Sequence, residues 1–388
     1  MSESVDVLVA GGGPGGLFLA ERLARAGVQT LVVEEHETIG DPVHCTGVLA
    51  TDSFKEFDLP AAATLNALTR VRLVSPGGFV VDHATVSPLA TVIDRPIFDR
   101  ALGDRAEAAG AELRRGVRVA GIEIDDQAAR ISLADHTTID ARLVVLACGA
   151  NYAFQRRLGL GLPSHYLHTA QRELPARHLG DVELYFGHDV APQGFAWAVP
   201  VERPEGTFAR VGVMASSDAL GRYRRMVDRI RDRWGIDDAA EEPRQKLLPL
   251  GAIDRTYGDR LLAIGDAAGL VKPTTGGGIH YSIVSAALAA DVAIDALRRD
   301  RLDAATLATY EDAWRACLAE EFASQHELRE LATKLSDEAI DSFFELAQTD
   351  GIMPIVRATA RFNEHRPLIT ALFRHPPARR ILFRAVLG

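Results

Sequence analysis

The chain has 388 residues, 47% hydrophobic and 25% charged, with a formal net charge of −10 and three cysteines. That length gives ample core for one intertwined two-domain unit or for two to three domains, and the acidic balance argues against nucleic acid as a partner. Cys45, Cys148 and Cys317 lie far apart with no C-x-x-C spacing, which excludes a disulfide framework and gives no support for an in-chain iron–sulfur cluster; no metal site is expected.

The first six residues carry no basic region, and no uninterrupted apolar run approaches the roughly 20 residues of a membrane span. A cytoplasmic protein is therefore expected. Residues 5–10 read as a hydrophobic strand, followed by Gly11-Gly12-Gly13-Pro14-Gly15-Gly16 and a helix from about 17 to 26, with Gly27 as its C-cap. Residues 30–33 form a second strand ending at Glu34. Gly11, Gly13 and Gly16 have the G-x-G-x-x-G spacing between strand and helix, and Glu34 stands where an acid takes the adenosine ribose hydroxyls of a dinucleotide. Glu35 reads as a solvated strand-end charge, although the two acids can exchange roles.

Residues 39–47 form a Gly/Pro-rich loop containing Pro42-Val43-His44-Cys45. Strands at 71–74 and 79–81 flank the turn Pro76-Gly77-Gly78, a hairpin signal. Arg95 precedes Pro96, which suits the first turn of a helix running to Gly110. Three strands follow without an intervening helix, around 117–124, 129–133 and 143–147. From 183 to 214 the chain alternates and is aromatic, as an antiparallel sheet does. A strand at 261–264 then runs into Gly265-Asp266-Ala267-Ala268-Gly269. A second glycine-rich turn, Gly276-Gly277-Gly278, opens an Ala-rich helix at Ile279 that continues to about 297. Glycine permits close backbone approach to a flat ligand, and the helix start offers unpaired N–H groups and partial positive charge. A flavin requires these things, with Asp266 for its ribityl or pyrophosphate. From 302 onward the chain reads as helical, with turns near Pro354, Pro367 and Pro376-Pro377.

In order, Gly11 to Gly16, Arg95 with Phe98-Asp99 and Leu102, the Cys148-Gly149-Ala150 turn and Gly265 to Gly269 resemble flavoproteins of the para-hydroxybenzoate hydroxylase fold. Pro42-Val43-His44-Cys45 is similar to the P-x-x-C motif of the geranylgeranyl reductase family. Gly194-Phe195-Ala196-Trp197-Ala198-Val199-Pro200 is similar to that family's Y-x-W-x-F-P motif, with Phe for Tyr and Val for Phe. The resemblance spans about 5–297. It implies an α/β fold: a Rossmann-type FAD domain with a β-meander (1–64, 95–163 and 251–300), interleaved with an antiparallel-sheet substrate domain (65–94 and 164–250) and a C-terminal helical region (301–388). It implies FAD held by Gly11, Gly13, Pro14, Gly15, Gly16, Glu34, Cys45, Arg95, Gly265, Asp266 and Gly276 to Ile279. It further implies a lipophilic prenyl substrate lined by Phe195, Trp197, Pro200 and His280, and an external electron donor such as NAD(P)H, ferredoxin or another reductant. The implied activity is reduction of isolated carbon–carbon double bonds, with Cys45, His44 or a bound water as proton source.

Two departures bear on the alternatives. Hydroxylases of this fold carry Asp-Gly where this chain has Cys148-Gly149, and flavin-dependent halogenases carry two tryptophans in W-x-W-x-I-P where only Trp197 is present. A flavin monooxygenase remains the second reading, and a non-enzymatic prenyl carrier the third. Phe195 and Trp197 can equally be alternate-face sheet core, and Cys45 a small buried apolar residue. Residues 352–388 contain Arg357, Arg361, Arg366, Arg374, Arg379, Arg380 and Arg384 against Glu364 alone, a net +6 interleaved with Leu368, Ile369, Leu372 and Phe373. This reads either as a helical cap on the acidic body or as a peripheral contact with anionic lipid on the inner membrane face.

Overall fold

The computed structural model describes residues 3–237, 241–349 and 351–387, with side chains to residue 383. Val5, Val7, Leu8 and Val9 are buried on both faces of the strand Glu3–Ala10, as a central parallel strand requires. Its neighbours are Thr30–Val33, then Glu112–Arg114, on one side and Thr138–Leu146, then Leu261–Ala263, on the other, all parallel; Tyr257–Gly258 adds an antiparallel edge. On its other edge, the first half of Thr138–Leu146 pairs with Ala129–Leu133 in place of Leu261–Ala263, and Ala129–Leu133 pairs with Val119–Ile124. One long strand thus carries both the β-meander and the parallel sheet, beginning five residues earlier than its sequence pattern predicts.

The helices Pro14–Arg25 and Ile279–Arg298 pack together, and Arg95–Ala108 lies against the first. Ile279–Arg298 is long and apolar enough to cross a membrane, the single such helix among the described residues. Here it is a core helix: Ala286, Ala289, Ala290 and Ala293 are fully buried in the same hydrophobic cluster as the parallel sheet.

A second sheet of seven strands runs in the order Arg244–Leu250, His165–Pro175, Gly206–Ala215, Phe195–Arg203, Val182–Tyr185, Arg70–Val74, Val80–Ala84. Its pairs are antiparallel except Val182–Tyr185 with Arg70–Val74, which is parallel. Ala196, Ala198, Val211 and Val213 face the helix Ala219–Trp234, while Trp197, Val199 and Met214 face the opposite way with Phe195 beside them. That helix interrupts the stretch 164–250, which the sequence pattern assigns mainly to sheet. Its signals are present nonetheless: Asp218 accepts from Gly221 N, Tyr223, Met226, Val227, Ile230 and Trp234 recur at helical spacing, and Gly235 closes it. Val48–Ala50, Ala90–Ile93 and Thr64–Leu68 form a third sheet, with Thr64–Leu68 against Phe195–Arg203 and Val48–Ala50 against Ile279–Arg298.

The C-terminal part is helical over Ala304–Ala332, Asp337–Gln348, Met353–Thr359, Arg366–Arg374 and Pro376–Leu387. The helix breaks fall near Pro354, Pro367 and Pro376-Pro377 as expected, with each proline placed in the first turn of the helix that follows. Proline has no N–H to lose in a first turn, and its fixed φ suits the helix.

Candidate functional site

A single cavity of about 1080 Å³ runs from the Gly11–Gly16 turn to the Phe195–Trp197 face of the second sheet. At its first end Gly11 has φ +119°, and a Cβ there would lie 2.4 Å from the Ala147 carbonyl oxygen, so only glycine fits. Gly12 N donates to Glu34 Oε2 at 2.7 Å, and His36 N donates to Glu34 Oε1 at 3.0 Å. Glu34 rather than Glu35 is therefore the acid fixed against the glycine turn. A Cβ on Gly13 would meet nothing within 4 Å, so this turn borders open space.

Further along, Asp266 lines the cavity, and no hydrogen bond reaches its carboxylate from the described residues. Burial raises its pKa, with Lys246 and Arg95 pulling the other way. The helices beginning at Pro14 and Ile279 both open at the cavity with no side-chain cap, leaving first-turn amides free. Open space over glycines, two uncapped helix starts, a fixed acid and an unpartnered carboxylate fit the ribose, pyrophosphate and ribityl groups of FAD.

At the junction of the two ends, Arg95 binds Asp99 through Nε at 3.0 Å and Nη2 at 2.7 Å. Burial works against the Arg95 charge, but Asp99 restores it, so the guanidinium stays charged with the Cys45 sulfur hydrogen-bonded to it. Gly47 N also donates to Cys45 Sγ, at 3.3 Å. His44 lines the same stretch with Nδ1 buried and unpartnered. Burial, then Lys246, Arg244, His36 and Arg95, push its pKa down to about 4, so it is a neutral imidazole at neutral pH. Cys148 also borders the cavity, its thiol pushed up to about 11 by burial and hence protonated.

The cavity wall thus includes Gly11, Gly13, Pro14, Gly15, Gly16, Glu34, His44, Cys45, Arg95, Asp266, Gly276, Gly277, Gly278, Ile279, Phe195 and Trp197. Three of the sequence-selected residues stand off it. Gly265 is buried behind Asp266, its N–H on Ser285 Oγ at 3.0 Å. Pro200 is out of phase with Phe195, Trp197 and Val199 on its strand and points to the other face. His280 turns away, with Nδ1 2.9 Å from Ser53 Oγ and the ring edge-on to Phe57.

Several wall residues carry no sequence motif. Lys246, on the sheet edge, has its pKa lowered by burial while Asp266 pulls it back. Val356, Phe362, His365, Leu368, Ile369 and Leu372 from the C-terminal helices close the apolar end. That segment is tied to the glycine-rich turn: Lys272 Nζ donates to Phe362 O at 2.7 Å and Asn363 Oδ1 at 2.8 Å, and Thr274 Oγ1 is 2.7 Å from His365 Nδ1. The only available signal was the apolar spacing 368, 369, 372, which says that a face is buried but not against what.

A family model described as an FAD binding domain matches residues 4–323. A digeranylgeranylglycerophospholipid reductase from Methanocaldococcus jannaschii is 30% identical over 361 residues, covering 89% of this chain and 91% of that relative. The chain belongs to the geranylgeranyl reductase family of FAD-dependent oxidoreductases. As such it binds FAD. Its fold is shared with a geranylgeranyl bacteriochlorophyll reductase-like protein from Thermoplasma acidophilum, with a TM-score of 0.84, 23% identity and coverage of 99% of this chain and 100% of that one. It is also similar to the halogenase PltM, with a TM-score of 0.70, 16% identity and coverage of 98% and 85%.

Proposed function

We propose that this reductase hydrogenates isolated carbon–carbon double bonds in a prenyl chain of the geranylgeranyl type, carried on a lipid, quinone or diphosphate. The observation that carries the reading is the continuity of one cavity from the dinucleotide cradle to apolar walls, with Cys45 at the junction. An isolated alkene has no carbonyl to polarise it, so its reduction needs a hydride donor held at one carbon, a proton for the other and exclusion of water. FAD, when bound, supplies the electron pair, replenished by an external donor such as NAD(P)H or ferredoxin.

The chain's own residues do the rest. Glu34 takes the adenosine ribose, the uncapped helix starts at Pro14 and Ile279 face the anionic parts of the cofactor, and Asp266 accepts from its hydroxyls. Phe195, Trp197, Leu368 and Leu372 hold the prenyl chain and keep it dry. Cys45 Sγ delivers the proton, with Arg95 beside it. Neutral His44 is a poor acid at neutral pH, which favours Cys45 or a water. In this reading the segments 1–64, 95–163 and 251–300 serve FAD, 65–94 and 164–250 serve substrate, and 301–388 roofs the pocket. The enzyme works in the cytoplasm, its basic C-terminal helices resting on an anionic membrane surface from which the chain enters.

The test is anaerobic: the holoenzyme is chemically reduced, a geranylgeranyl substrate is added, and the flavin absorbance is followed. Reoxidation by the unsaturated substrate, and none by its fully saturated analogue, is expected. No reoxidation by either would overturn the reading.

A further inference from the structure

Beneath Cys45 lies a buried ionic cluster that the chemistry above does not use. Arg210, on Gly206–Ala215, is 3% exposed. Its Nε donates to Glu173 Oε2 at 2.7 Å, and its Nη1 donates to Thr46 O at 2.7 Å and to Ile93 O at 2.9 Å. Thr46 follows Cys45. Ile93 leads through Asp94 into the helix that starts at Arg95. Arg203 binds Glu173 at 2.6 Å and also meets Asp94, whose carboxylate caps that helix on Ile97 N at 3.0 Å. Loop and strand are further joined by Ile93 N donating to Gly47 O at 2.8 Å. A Cβ on Gly47 would lie 2.6 Å from the Arg210 guanidinium, so the loop is pressed directly onto it.

Burial pushes Asp94 and Glu173 toward their neutral forms, but the arginines outweigh it and hold both carboxyls below the ordinary range. A buried ion cluster is seldom the most stable filling for a core; apolar residues of equal volume often do as well. What a guanidinium adds is direction, because its donors are fixed in one plane. Here one guanidinium sets the Thr46 and Ile93 carbonyls relative to each other, and so Cys45 relative to Arg95.

We infer that Arg210 is a positioning residue: anchored by Glu173, it locks the Cys45 loop to the start of the Arg95 helix, so that the sulfur and the guanidinium face the same stretch of the cavity. The inference rests on the role proposed for Cys45. Its test uses the FAD-loaded enzyme with Arg210→Lys, which keeps the charge and loses the fork, and the charge-balanced double variant Glu173→Gln with Arg210→Met in case the single one does not fold. Measured are turnover per bound flavin, KM, FAD content, Tm and, without substrate, the rate of Cys45 alkylation by iodoacetamide, read peptide by peptide against exposed Cys317. Displacing a reacting group by about 1 Å can cost about 10²-fold. A kcat loss approaching that size with KM and FAD content unchanged, and a several-fold change in Cys45 alkylation while Cys317 is unaffected, is expected. Wild-type alkylation of Cys45 in a folded, flavin-loaded variant would overturn the inference, as would an activity loss that merely follows FAD content or Tm. If Cys45→Ala keeps full turnover, the proton role fails but the alkylation comparison still decides the positioning.

Discussion

At the scale of single residues, the assignments with the sharpest consequences are Glu34 and Cys45. Glu34 is held by the Gly12 and His36 amides, so its carboxylate has a fixed place at the glycine turn. Glu34→Ala should lose one or two hydrogen bonds to a charged group, on the order of 1.5–3 kcal/mol each. Titration calorimetry of the apoprotein with FAD checks this, and unchanged affinity would remove Glu34 from the ribose. Proton delivery by a positioned acid contributes about 10²–10⁴-fold. Cys45→Ala should therefore lower turnover by at least the smaller factor, in an assay supplied with chemically reduced flavin. A lesser loss would leave Cys45 shaping the pocket while water delivers the proton. The place of Glu34 at the glycine turn was legible in the sequence because it depends on a fixed separation from the first glycine within one strand–turn–helix unit. Arg210 was not, because its partners Thr46, Ile93 and Glu173 come from distant parts of the chain and no local pattern announces them. Pro200 shows the converse: it belongs to a matching motif, yet strand alternation turns it away from the pocket that Phe195 and Trp197 face.

At the scale of elements, the C-terminal helices roof the cavity and are pinned to the glycine-rich turn through Lys272. Burial brings its pKa down to about 7 against the pull of Glu321, while its Nζ keeps two oxygen acceptors and lies 4.8 Å from the Phe362 ring. A lysine whose folded-state pKa lies below its unfolded value binds fewer protons folded than unfolded between the two. Stability should then rise with pH from about 7 toward the ordinary lysine range. Lys272→Met removes the titrating group together with its two donor contacts, so it should lack this part of the rise. Urea unfolding of both proteins at neutral and at alkaline pH measures it, and parallel pH profiles would contradict the assignment. The strand–glycine–helix units at both ends of the FAD site were readable from periodicity and turn residues. The helix Ala219–Trp234 carried the same kind of signals, a cap, a spacing and a closing glycine, within a stretch whose neighbours alternate as strands. The roof was unreadable for a different reason: an apolar helix face specifies that it is covered, and only the tertiary structure specifies by what.

At the scale of the whole molecule, the basic C-terminal stretch has an apolar inner side and a charged outer one. Leu368, Ile369 and Leu372 turn inward to the cavity, as a cap does, while Arg374, Arg379 and Arg380 remain exposed on the outside; the Arg384 side chain lies outside the described residues. Replacing the three exposed arginines by glutamine should weaken flotation with vesicles containing anionic lipid and leave neutral vesicles unaffected, each charge near such a surface contributing about 1 kcal/mol. Equal flotation of both proteins would return this face to ordinary solvent. Because the C-terminal helices also roof the pocket, deleting them would open the cavity as well as remove the charge, so substitution is the cleaner comparison.

The central claim is that the cavity beyond the FAD cradle reduces prenyl double bonds. The most direct test is mass spectrometry of a geranylgeranyl lipid after incubation with reduced, FAD-loaded enzyme. Products heavier by two hydrogens for each double bond reduced, formed without oxygen and more slowly in Cys45→Ala, are expected. A product heavier by one oxygen atom, formed only in air, would contradict it and make the protein a monooxygenase.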